Sequence, residues 1–118
     1  MKLRIKGNTI RFRLTQTEVA QLAAGEPIRD HTEFAPGQCL TWSLDPSPSV
    51  AAMESQFRDS AISVLLPATD VRRWADTDLE GLYSRSGTLE IAVEKDFRCL
   101  HRTASPEEGD NFPNRGKH

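Results

Sequence analysis

Residues 8–25 of this chain (NTIRFRLTQTEVAQLAAG) align without gaps on residues 60–77 (SAISVLLPATDVRRWADT), so its fold has to satisfy one geometric pattern twice. Ile10 falls on Ile62, Leu14 on Leu66, Thr17 on Thr69, Val19 on Val71 and Ala23 on Ala75. Conservative matches join Phe12 to Val64, Glu18 to Asp70 and Leu22 to Trp74. Five identities in eighteen positions are few. The weight rests on the register, because strand, cap, staple and helical stripe follow one another at the same spacing in both segments.

In the first copy, MKLRIK and TIRFRL alternate with period two across Gly7-Asn8, a two-residue loop suited to a primed hairpin turn. Met1, Leu3, Ile5, Ile10, Phe12 and Leu14 then share one side. The other side sets Lys2 against Arg13, Arg4 against Arg11 and Lys6 against Thr9. A helix follows, with Thr15 as N-cap, Glu18 completing a capping box, and Leu14 with Val19 as a hydrophobic staple. Val19, Leu22 and Ala23 form its apolar stripe, and Gly25 ends it. Two strands are expected over 28–34 and 39–45, joined by a type II turn at Pro36-Gly37. The run Asp45-Pro46-Ser47-Pro48-Ser49 reads as a linker unable to join a central strand.

The second copy sets Phe57 where Ile5 stands, turns at Asp59-Ser60, and closes with strands over 82–84 and 89–93. Past Leu100 the chain is polar and without period, so 103–118 reads as a mobile tail from which Phe112-Pro113 can dock back. The expected fold is α+β, an internally duplicated ββαββ unit with a pseudo-two-fold axis. It should hold eight to ten mostly antiparallel strands and two short helices, as a sandwich or a barrel. Residues 1–102 form one domain, with repeats over about 1–45 and 50–97, since neither half can bury its own oily face. Trp74, on the helical stripe, and Trp42, alternating with Leu40 and Leu44, are expected in the core.

Composition excludes several classes. Hydrophobic residues at 37% and charged residues at 27% are globular rather than disordered proportions. No apolar run approaches the ~18 residues that span a bilayer, and the N-terminus has no apolar signal region. The expected location is the cytoplasm, with Cys39 and Cys99 reduced.

Three stretches resemble an uncharacterised bacterial family of unknown function: MKLRIKGNTIRFRLTQTEV at 1–19, VEKDFRCL at 93–100, and an acidic run leading to Phe-Pro-Asn within 107–114. The resemblance covers nearly the whole chain. It implies a small stand-alone domain and supplies no activity, cofactor or catalytic residue.

Charge is the remaining lead. The net charge is -2, yet the first fourteen residues carry Lys2, Arg4, Lys6, Arg11 and Arg13 and no acid, which leaves -7 for the rest. Like charges directly opposite on a sheet cost roughly 0.2–1 kcal/mol per pair. Lys2, Arg4, Arg11 and Arg13 therefore need acids nearby. These can be internal, from Glu90 and Glu94 or from Asp30 and Glu33, or can belong to a small anion or an acidic protein partner. The matching face of the second copy (Gln56, Arg58, Ser63) is nearly neutral, so the fold does not demand the strip. Exposed aromatics for base stacking are missing from it, which argues against nucleic acid.

Metal and catalytic signals are thin. Cys39, Cys99, His31 and His101 include no CxxC knuckle and no paired-histidine spacing. Neither a nucleophile elbow, a phosphate loop nor a dinucleotide fingerprint occurs, so no cofactor is expected. The expectation is a non-enzymatic binding or adaptor module working through Lys2, Arg4, Arg11 and Arg13. The alternative is a small enzyme with a site between the repeats, using His31 with Asp30 or Glu33. The acidic tail (Glu107, Glu108, Asp110, Phe112) is a candidate cover for the basic hairpin.

Overall fold

The alternation of the first fourteen residues becomes a hairpin of β1 (Lys2–Lys6) and β2 (Thr9–Leu14) in a computed structural model that describes residues 1–97, 110, 112 and 113. Its register pairs Lys2 with Arg13, Leu3 with Phe12, Arg4 with Arg11, Ile5 with Ile10 and Lys6 with Thr9, as the alternation requires. Gly7 sits at φ +55 and Asn8 does not share that sign, the pattern of a type II′ turn. Helix α1 (Gln16–Ala23) then begins at a complete capping box. The Thr15 hydroxyl accepts from the Glu18 N–H, and the Glu18 carboxylate accepts from the Thr15 N–H at 3.0 Å. Leu14 and Val19 are both buried, so the staple is in place. At the far end the Gly25 N–H donates to Leu22 and the Glu26 N–H to Gln21, which is a Schellman closure.

The second hairpin joins β3 (Ile28–Ala35) to β4 (Gln38–Ser47) across Pro36-Gly37. The order then repeats with β5 (Glu54–Arg58), β6 (Ala61–Pro67), α2 (Ala68–Asp76), β7 (Gly81–Ser86) and β8 (Leu89–Lys95). Two expectations need correcting. The stretch read as a linker is in part strand, since β4 carries Pro46 opposite Leu66. Its β3 partner has already ended at the Ile28–Leu44 pair, so a proline whose missing N–H faces away from β6 removes no ladder bond. The cap is also not repeated: Pro67 occupies the place of Thr15, and α2 starts without a side-chain cap.

Among the described residues eight strands form two open four-stranded sheets, β1-β2-β8-β7 and β3-β4-β6-β5. Each hairpin is antiparallel, whereas the central pairs β2–β8 and β4–β6 are parallel. Every sheet therefore takes one hairpin from each half of the chain. The two sheet units are similar in detail: Ile10 and Phe12 face Ile91 and Val93 in one, and Ile62 and Val64 face Trp42 and Leu44 in the other. Open edges exclude the barrel alternative.

One core joins both sheets and both helices. Phe12, Leu14, Leu44, Val64, Leu66 and Val93 meet Leu22, Val71 and Trp74, all buried, and each helix touches strands of both sheets. Burying a large apolar side chain is worth about 1.5–3 kcal/mol, so this shared cluster dominates stability. Trp74 and Trp42 both lie in it, and the Trp74 Nε1 donates to the Glu80 carbonyl at 3.0 Å.

Most of 103–118, expected to be mobile, lies outside the described residues. Of the three described there, Phe112 docks on the body. Its N–H donates to the Asp96 carbonyl at 2.8 Å, and its ring lies 5.9 Å from that of Phe97. Asp110 accepts from the Thr17 hydroxyl at 3.1 Å, at the start of α1 and not on the basic hairpin. Among the described residues no helix is long and apolar enough to cross a membrane.

Candidate functional site

The side chains of the outer face of the first sheet stand in rows set by strand register. Lys2, Arg13, Glu94 and Gly81 form one row; Arg4, Arg11, Ala92 and Tyr83 the next; Lys6, Thr9, Glu90 and Arg85 the third. Sequence alternation alone brings Lys2, Arg4, Arg11 and Arg13 together, and the parallel pairing of β2 with β8 lays acids beside them.

Glu94 is the hub. Its Oε1 lies 3.1 Å from Arg11 Nε and 3.9 Å from Arg13 Nε, and its Oε2 accepts from the Tyr83 hydroxyl at 2.7 Å. Arg11 Nε is buried and has no partner in hydrogen-bond geometry, so its contact with Glu94 is charge against charge. Lys2 Nζ reaches Asp96 at 2.9 Å, and Arg85 lies 3.5 Å from Glu90. Gly81 makes room for this cluster: a Cβ there would stand 2.8 Å from both Glu94 Cγ and the Val93 carbonyl oxygen. Burial of the hydroxyl end, its hydrogen bond to Glu94, and the negative charges of Glu94 and Glu80 push the Tyr83 phenol above its usual range, against a smaller pull from Arg11.

An internal ladder therefore answers part of the basic face, and β8 supplies it through Glu94. Asp30 and Glu33 belong to the other sheet and do not meet the arginines. The other part is unanswered. Among the described residues neither Arg4 nor Lys6 has a carboxylate within ion-pair distance. Together with Thr9 and Arg11 they line a surface cavity of about 260 Å³. Three cations and a hydroxyl converge there, with no acid in the lining among the described residues. Guanidinium forks grip carboxylate or phosphate in bidentate fashion, and an ammonium adds a point charge. The volume falls below the ~300–1,000 Å³ of sites for drug-sized ligands, so it suits one phosphate or one carboxylate side chain.

Lys6 and Thr9 join the site only in the structure. Alternation already places both on this face, but Thr9 has no charge and Lys6 faces no second cation, so neither stands out in the sequence as the opposed arginines do. His31 and Glu33 lie opposite Thr41 and Cys39 on the exposed strand β3, with Asp30 on the alternate face. The Asp30 carboxylate accepts from the backbone N–H of His31 at 2.8 Å, a local contact within one strand. Cys39 is exposed on β4, and Cys99 and His101 lie outside the described residues. Among the described residues no three His, Cys, Asp or Glu side chains are grouped to hold a metal ion.

A family model described as a family of unknown function (DUF7009) matches residues 1–116. No curated protein and no solved structure matches the chain.

Proposed function

We propose that this chain, which belongs to that family, is a non-enzymatic binding module that takes an anionic ligand or an acidic partner on its basic hairpin. One observation carries the reading: among the described residues Arg4, Lys6 and Arg11 surround a cavity with no carboxylate in its lining, while Glu94 is already engaged by Arg11, Arg13 and Tyr83, and Glu90, beside Thr9, by Arg85. Arg4 stands directly opposite Arg11 with that repulsion only half relieved.

The second sheet unit supplies a comparison. At the matching places it pairs Gln56 with Ser63 and Arg58 with Ala61, and it keeps the same register. Read as a duplicated ββαββ chain, the molecule carries its cation cluster on one copy only, as a feature added to the fold and not required by it. A cytoplasmic setting belongs to the same reading.

Titration with inorganic phosphate, followed by backbone amide shifts, tests it. Saturable shifts confined to residues 4–11 are expected in the wild type, and their loss in a folded Arg4→Ala/Lys6→Ala variant. Shifts scattered over the surface, or unchanged in the variant, count against it.

A further inference from the structure

Strand β1 is one edge of its sheet, and it differs from the other three edges in charge. Its outward side chains are Lys2, Arg4 and Lys6, all cationic. β3 mixes Arg29, His31, Asp30 and Glu33, β5 mixes Glu54 and Arg58, and β7 carries Arg85 alone. The turn fixes which backbone groups of β1 are free. In a two-residue hairpin the pair beside the loop exchanges hydrogen bonds, and bonded and non-bonded pairs then alternate. Lys6, Arg4 and Lys2 therefore bond inward to β2, and Leu3 and Ile5 turn their N–H and C=O outward.

The two faces of this free edge are equally distinct. On the outer face lie the cations and the cavity of Arg4, Lys6, Thr9 and Arg11. On the inner face Ile5 is left 57% exposed, although its partner Ile10 is buried. Basic residues on an edge are a known defence against pairing with a second copy, and β1 against β1 would set lysine and arginine against their own kind. The same charges attract a strand of opposite sign.

We propose that β1 accepts an extended segment of a partner protein as an added strand, and that this segment alternates acidic with apolar side chains. This rests on the anion-binding reading above and specifies its ligand. Main-chain bonds to Leu3 and Ile5 hold the segment, carboxylates meet Arg4 and Lys6, and apolar side chains cover Ile5. A strand as short as β1 reads about five residues.

The test uses the whole chain and a seven-residue peptide alternating glutamate and valine, with a peptide of the same composition in two blocks as control. Amide exchange at Leu3 and Ile5 should slow about tenfold at saturation with the alternating peptide, and the block peptide should bind at least about tenfold more weakly. Ile5→Pro removes an outward N–H that β2 does not use, a change edge strands tolerate. It should weaken peptide binding and leave the phosphate titration unchanged. Equal binding of both peptides without slowed exchange overturns strand addition, and so does binding of neither. Phosphate then decides whether the anion-binding face falls too. Should Ile5→Pro fail to fold, exchange at Leu3 and Ile5 in the wild type decides the matter by itself.

Discussion

Two residues decide how the basic face divides. Glu94 is 9% exposed and holds Arg11, Arg13 and the Tyr83 hydroxyl, so it neutralises the side of the hairpin nearest β8. Arg4 lies one strand further out and has no acid within ion-pair distance among the described residues. Tyr83 gives this arrangement a signature in pH. Its phenol keeps the proton in the folded chain above the ordinary value of 10.0, whereas the unfolded chain loses it there. The folded state then binds more protons, and stability falls as pH rises above about 10. The ring is largely exposed and solvent screens the effect, so the slope stays below the ~1.4 kcal/mol per pH unit of one full proton. Urea titrations across that range should show a steeper alkaline decline for the wild type than for Tyr83→Phe. The opposed arginines are legible from alternation alone. Glu94 is identifiable as an acid on the last strand, but its place beside Arg13 depends on a parallel pairing between residues some eighty positions apart, which local sequence does not encode.

At the level of elements, the parts with local chemistry are readable and those set by neighbours are not. The capping box of Thr15 and Glu18, the Leu14–Val19 staple and the Gly7-Asn8 hairpin follow from side chains within a few positions of one another, and all stand in the structure. Pro46 misleads because a proline argues against a strand only where both neighbours are present, and β4 has lost one of them there. Pro67, which aligns with Thr15, departs from it for a simpler reason: it has no hydroxyl to cap α2. The Asp59-Ser60 turn carries a cost that the Gly7-Asn8 turn avoids. Asp59 and Ser60 both take positive φ, +53 and +60, where L residues with a side chain are disfavoured. Ser60→Gly should raise stability by about 0.5–1 kcal/mol, measured by urea denaturation; a loss would mean that the turn is not under this strain.

For the whole molecule, exchange of hairpins between halves is the governing fact. β1 and β2 share a sheet with β7 and β8, and β3 and β4 share one with β5 and β6, so neither half owns a complete sheet. The sequence leads one to expect two half-cores packed face to face. Each half does cover the other, but it does so by interlocking strands. The need for cover follows from apolar faces visible in the alternation. The choice of partner strands follows from tertiary contacts. Across these two similar sheet units the charge is one-sided: where β1 and β2 pair Arg4 with Arg11 and Lys6 with Thr9, β5 and β6 pair Gln56 with Ser63 and Arg58 with Ala61.

Thermal unfolding in phosphate and in chloride at matched ionic strength, for the wild type and for Arg4→Glu/Lys6→Glu, tests that one-sided charge as a binding site. A ligand at ten times its Kd stabilises the folded state by ~1.4 kcal/mol, a rise of about 3–6 °C in Tm for a domain of this size. The wild type should show that rise in phosphate and the double variant should not, while in chloride the variant should melt no lower than the wild type, because Arg4→Glu removes the like-charge pair with Arg11 and keeps Glu94 in place. An equal response of both proteins to phosphate would contradict the account.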